Sequence, residues 1–118
     1  MPKHIKTGIK GEQIAADFLL NKGYIILHRN WRYGKKEVDI IALEKDIIIF
    51  VEVKTRTSYK LNYPEESVTL KKRNYLKMAA EGFSMAYPQY KNFRFDIISV
   101  LLQGESAKEI MHFEDAFH

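Results

Sequence analysis

Apolar residues Ile14, Ala15, Phe18 and Leu19 recur at helical spacing, which predicts a helix from about Ile9 to Lys22. Thr7 or Gly8 stands where a cap is wanted, and Gly23 where a left-handed C-terminal residue is wanted. The pattern then turns β-like. "YIILHRNWR" is one such run, "YGKK" a turn, and "EVDIIALE" and "DIIIFVEVKTR" are two more runs joined tightly at "EKD" as a hairpin. "TSYKLNYPEES" is a polar loop with a proline. Leu76, Ala79, Ala80, Phe83 and Tyr87 then place a second helix over about Thr69 to Ala86, which Pro88 ends. "FRFDIISVLL" is a strand, Gln103 to Lys108 a turn and "EIMHFE" a last short strand. The order α-β-β-β-α-β-β predicts a single-domain α/β sandwich with a mixed β-sheet flanked by helices.

One stretch breaks its own pattern. Ile47 to Val51 are continuously apolar, as a strand buried on both faces should be, and then Glu52 and Lys54 interrupt. Strand side chains alternate, so Glu52 and Lys54 share a face with Phe50, and Glu37, Asp39 and Ile41 share one in the neighbouring run. A two-residue turn at Lys45–Asp46 pairs Glu44 with Ile47, which sets Asp39 opposite Glu52 and Glu37 opposite Lys54. A three-residue loop would separate the two carboxylates. Carboxylates set across a strand pair repel by about 0.2–1 kcal/mol when exposed, and more where water is scarce. A hard divalent cation such as Mg²⁺ offsets that repulsion. Lys54 beside it can orient a water or stabilise an oxyanion on phosphorus. A lone Glu-x-Lys is more often a solvated strand face; Asp39 in matching register changes that balance. Glu12 lies toward the packed side of the first helix, where a carboxylate wants a partner, although an acid favoured by the helix dipole is the simpler explanation.

Composition narrows the classes. The chain has 118 residues, 46% hydrophobic and 13% aromatic, enough for one modest core and too apolar for a disordered chain. There is no cysteine, which excludes disulfides and thiolate-zinc sites, and the four histidines show no ligand spacing. No apolar run approaches a membrane span, and the N-terminal stretch lacks an apolar secretory region, so a cytoplasmic location is expected. The net charge of +4 permits a polyanionic partner, with cations gathered at "KHIKTGIK", "HRNWRYGKK" and "LKKRNYLK".

Together "GEQIAADFLLNKGYIILHRNWR", "EVDIIALEKDIIIFVEVKTR", "PEESVTLKKRNYLKMAAEGF", "FRFDIISV" and "IMHFEDAF" resemble the YraN-like family of predicted endonucleases. That family is similar to archaeal Holliday-junction resolvases and belongs to the PD-(D/E)XK nuclease superfamily. The resemblance runs from about Gly11 to Phe117. It implies a restriction-endonuclease-like fold and a Mg²⁺- or Mn²⁺-dependent phosphodiesterase site at Glu12, Asp39, Glu52 and Lys54. Asp39, Glu52 and the Val53 carbonyl would bind metal, and Glu12 a second metal or its water. One departure is that Lys36, not glycine, precedes Glu37. Lys71 and Tyr75 resemble the Lys/Gln-x-x-x-Tyr element of some members, with an exposed basic helix face as the equal alternative. Arg32, Lys36, Arg56, Lys71, Lys72 and Arg73 are the candidate phosphate contacts, with Arg29 and Lys35 behind them; Trp31 could stack on a base, although a core or partly buried position is the simpler reading. Glu37 and Tyr75 are auxiliary candidates. The expected activity is an endonuclease acting on DNA in preference to RNA, with a homodimer suited to paired cuts. The rival expectation is a non-catalytic nucleic-acid-binding module on the same fold.

Overall fold

A computed structural model describes residues 3–57 and 68–118; the polar loop expected at 57–67 lies, from residue 58 on, outside the described residues. The elements are α1 (Lys3–Asn21), β1 (Ile25–Tyr33), β2 (Lys36–Glu44), β3 (Ile47–Arg56), α2 (Leu70–Ala86), β4 (Asn92–Gln103) and β5 (Ser106–Phe117). The strands form one mixed sheet in the order β1-β2-β3-β4-β5. Only the β3–β4 neighbours run parallel, as the intervening helix requires.

Two differences from the sequence expectation have simple causes. α1 starts at Lys3 rather than near Ile9, because only Gly8 opposes helix there, at a cost near 1 kcal/mol. β5 starts at Ser106 rather than Glu109, because Gln103 pairs with Ser106 and leaves a two-residue turn. Three hairpins close in this way. In each, the first turn residue has positive φ: Gly34 (64°), Lys45 (58°) and Gly104 (65°).

β3 separates two cores. Ile49 and Val51 join Ile40, Ala42, Ile98 and Val100 under Ala15, Ala16 and Leu19 of α1. Ile48 and Phe50 join Ile41 and Ile97 under Leu76, Ala79 and Phe83 of α2. Fully burying each such large side chain is worth about 1.5–3 kcal/mol. The apolar run through Val51 therefore reflects a strand covered on both faces.

A third device is polar. Asp96 is fully buried in β4. It accepts from Arg94 through both oxygens at 2.9 and 2.8 Å, from His112 Nε2 at 2.7 Å and from the Asp115 N–H at 3.0 Å. Burial alone would raise its pKa, but the bonds from His112, Arg94 and Asp115 outweigh burial and hold it below the usual value. Lys22 Nζ lies 2.8 Å from His112 Nδ1; an ammonium can only donate, so Nδ1 accepts and Nε2 donates to Asp96. The same carboxylate organises a bulge in β5, where the pairing jumps from Ile97–Phe113 to Phe95–Phe117 and Asp115 takes φ 52°.

Candidate metal and nucleic-acid site

The β2–β3 ladder runs from Glu44–Ile47 to Ile40–Val51 and stops there, in the register that the Lys45–Asp46 turn predicts. Past that point β2 stays with β1 as far as Tyr33–Lys36, while β3 continues beside β4 as far as Arg56–Leu101. The sheet forks, and Asp39 and Glu52 are the first residues inside the fork. Where the next ladder bond would be, the Val53 N–H donates to Asp39 Oδ2 at 2.8 Å. The N–H and C=O of a strand residue point to the same side, so the Val53 carbonyl also faces the fork.

Glu52 is 4% exposed. Its carboxyl is pushed up to about 8, first by burial, then by a hydrogen bond and charge repulsion from Asp39, with Lys72 and Lys54 pulling the other way. Burial and the neighbouring Asp39 thus both favour the protonated form of Glu52. Lys72 Nζ approaches Glu52 Oε2 to 3.4 Å from α2.

Glu12 faces this pair from α1. Burial raises its pKa, as does the charge of Asp39, while Arg29 and a hydrogen bond from the Asn30 side chain lower it. Gly11 makes the approach possible: a methyl group there would overlap the Thr55 side chain of β3. Asp39 is thus the common neighbour: Glu12 feels its charge from α1, while Glu52 on β3 interacts with it and with Lys54 and Lys72.

Other expectations need correction. Glu37 is not across from Lys54, because the ladder has ended; it pairs with Arg32 on β1, and Arg32 Nη1 lies 3.8 Å from its Oε1 at the surface. Strict alternation also fails, since Val38 and Ile41 pack in the same core and Ile40 in the other. Opposite this break, Asn30 holds φ 53° within β1. On α2, Lys71 is exposed, and the lysine turned to the site is Lys72, whose Nζ sits 5.3 Å from the Tyr75 ring centre. Tyr75 donates to the Tyr33 carbonyl at 3.0 Å and takes Lys36 Nζ over its ring at 5.7 Å. Arg73 is committed to structure: Nε donates to the Val68 carbonyl at 3.1 Å and its guanidinium lies over Phe117 at 5.4 Å. Trp31 packs edge-on to Phe83 and stacks on Tyr33, the partly buried position that its sequence reading favours over a base platform. Arg56 is half-buried, and its Nε is enclosed with no hydrogen-bond partner among the described residues. The cations flanking the fork are therefore Lys54, Lys72, Lys36 and Arg56. Of the other participants, Gly11 and Asn30 were not anticipated. Gly11 had a signal, a glycine inside a predicted helix one residue before a candidate acid.

Among the described residues, no three His, Asp or Glu side chains are grouped closely enough to hold a metal by themselves. Two carboxylates with a backbone carbonyl still suit Mg²⁺, which keeps several waters and takes few protein ligands. Asp39 Oδ2 accepts from the Val53 N–H, which orients the carboxylate in the fork.

A family model described as uncharacterised protein family UPF0102 matches residues 11–100, which span Glu12, Asp39, Glu52, Lys54 and Lys72. The chain belongs to UPF0102. A UPF0102 protein of Chlorobium phaeobacteroides is 42% identical over 116 residues, covering 93% of this chain and 91% of that protein. One of Caldicellulosiruptor saccharolyticus is 48% identical over 99 residues, covering 82% and 83%. One of Phocaeicola vulgatus is 40% identical over 119 residues, covering 100% and 97%. This UPF0102 chain has, among its described residues, no helix long and apolar enough to cross a membrane.

Proposed function

We propose that this UPF0102 protein is a divalent-metal-dependent endonuclease of the restriction-endonuclease-like fold, acting on DNA in preference to RNA. The observation that carries this reading is the fork. It sets the buried Glu52 carboxyl beside the half-buried Asp39, which the Val53 N–H orients, with Lys54 and Lys72 nearby. A core gains nothing from such an arrangement unless a cation or an anionic substrate completes it.

Asp39, Glu52 and the Val53 carbonyl would hold Mg²⁺ or Mn²⁺. When bound, that ion supplies Lewis-acid polarisation of a phosphoryl oxygen and lowers the pKa of coordinated water. Lys54 places an ammonium where negative charge grows on phosphorus. Glu12, kept near Asp39 by α1, orients water on the acidic side of the fork. Hydrolysis forms a bond from water oxygen to phosphorus and breaks the bond from phosphorus to a sugar oxygen. It leaves one phosphate monoester and one hydroxyl end. Lys36 and Arg56 would meet flanking phosphates. A homodimer would pair two such cuts.

The Lys72–Glu52 ion pair favours a second reading, because it already supplies a positive partner for the buried acid. On that reading the protein binds nucleic acid without cutting it. The deciding experiment incubates pure protein with linear, flapped and four-way DNA and matching RNA, with Mg²⁺, Mn²⁺ or chelator. Metal-dependent cleavage that Lys54→Ala abolishes supports the nuclease. Binding with no turnover under any metal supports the second reading.

A further inference from the structure

Lys72 stands in the first turn of α2, where the helix dipole disfavours positive charge and where no acid offsets it. Its backbone N–H donates to the Thr69 cap at 3.2 Å, which fixes where the side chain starts. What holds the ammonium comes from outside that turn. Nζ lies 3.4 Å from Glu52 Oε2 and 5.3 Å from the centre of the Tyr75 ring. The first distance is longer than the ~2.7–2.9 Å of a tight charge-assisted hydrogen bond, so the ion pair is a loose one. Its two ends also differ in freedom. The Glu52 side chain is 5% exposed, on a strand bonded to β4, whereas the Lys72 side chain is 25% exposed on a flexible stem. The Tyr75 ring beside it is anchored, its hydroxyl donating to the Tyr33 carbonyl at 3.0 Å. Lys36 Nζ lies 5.7 Å from the centre of the same ring, so one fixed aromatic gathers two ammonium groups.

We propose that Lys72 and a divalent cation compete for the Glu52 carboxylate, and that the displaced ammonium turns to a DNA phosphate together with Lys36. The inference rests on the metal-site reading given above. A dication on Glu52 would stand within a few ångströms of Nζ, and two cations that close repel strongly where water is scarce. Glu52 cannot move outward to separate them, because its strand holds it. Lys72 can, and the Tyr75 ring keeps a favourable surface for its charge as it does. A phosphate then supplies the countercharge that Glu52 has given up. Metal and DNA would therefore bind cooperatively through one side chain, each raising the affinity of the other by the same factor. Lys72 is a positioning residue in this scheme.

Lys72→Met keeps most of the stem and removes the charge, and Lys72→Arg keeps the charge. Calorimetric titration with Mn²⁺, alongside melting curves in chelator, is run on the original protein, both Lys72 variants and Asp39→Asn. Lys72→Met should bind Mn²⁺ more tightly than the original, by roughly 5–150-fold if the competition is of ordinary coupling strength. Lys72→Arg should bind like the original. Lys72→Met should also melt lower in chelator, because Glu52 has lost its partner, and Mn²⁺ should reverse that loss. Fluorescence anisotropy with a labelled linear duplex tests the other half. Lys72→Met should weaken DNA binding in Ca²⁺ and leave it nearly unchanged in chelator, where Glu52 holds the ammonium. If Lys72→Met binds Mn²⁺ no more tightly than the original while Asp39→Asn loses binding, the metal site stands and Lys72 does not compete for it. Equal loss of DNA affinity with and without Ca²⁺ would make Lys72 a fixed phosphate contact and overturn the exchange. If the original binds no Mn²⁺, or Asp39→Asn binds it equally well, the metal-site reading itself falls, and the Lys72 inference with it.

Discussion

Glu52→Gln tests the electrostatics of the fork without reference to any substrate. Burial and the Asp39 carboxyl raise the Glu52 pKa to about 8 in the folded protein, against an ordinary value of 4.5. Between those values the folded state keeps a proton that the unfolded chain has released. Stability from this group is fully present below the unfolded pKa and is lost as pH rises through the folded one. One retained proton gives a slope of at most ~1.4 kcal/mol per pH unit, so the loss across the window is several kcal/mol at most. Glutamine keeps the shape, can donate to Asp39 and does not titrate. The assay is urea unfolding in chelator at intervals from pH 5 to pH 9 for both proteins. The variant should gain on the original steadily over that range and be the more stable protein at pH 9. Subtracting the two curves removes the histidines and every other shared group. Millimolar Mn²⁺ at pH 8 should stabilise the original by mass action and the variant much less. A flat difference curve would show that Glu52 titrates normally, and the buried carboxyl pair would then be no site of stored repulsion.

Three further outcomes are expected. Gly11→Ala should destabilise by about 1–3 kcal/mol through overlap with Thr55; an unchanged denaturation midpoint would mean that α1 does not need that close approach. Asp96→Ala leaves Arg94 and His112 without their buried partner and should cost about 3–5 kcal/mol by urea unfolding at pH 7, whereas a loss below ~1 kcal/mol would place the network among weak surface pairs. DNA binding in filter or anisotropy assays should weaken steeply with added salt, and Arg56→Glu should weaken it for all sequences alike; salt-independent binding would remove the phosphate-contact argument.

The hairpin and its charges were readable from residue order because a two-residue turn and a period of two determine register by counting. That count placed Asp39 and Glu52 together correctly. It failed two residues further on, at Glu37, because counting assumes that a ladder continues and cannot see a sheet fork. The positive φ of Asn30 inside β1 is likewise unmarked in "HRNWR". On α2, the resemblance pairs Lys71 with Tyr75, but Lys71 is exposed and the lysine that reaches Glu52 is Lys72, about 100° further around the axis. The buried Asp96 network was unreadable because its members come from the α1–β1 turn, β4 and β5, far apart in the chain.

The fork also sets an order in time. β1, β2 and β3 are joined by two-residue turns, whereas β3 reaches its parallel neighbour β4 only across residues 57–91, α2 included. Short closures cost little chain entropy and form early, and the long parallel crossover forms late. A ribosome also releases the hairpin first. Asp39 and Glu52 therefore meet in water, where their repulsion is screened, before α2 arrives. The same late step that buries Glu52 delivers the Lys72 ammonium against it, so the acid is never sealed in without a countercharge.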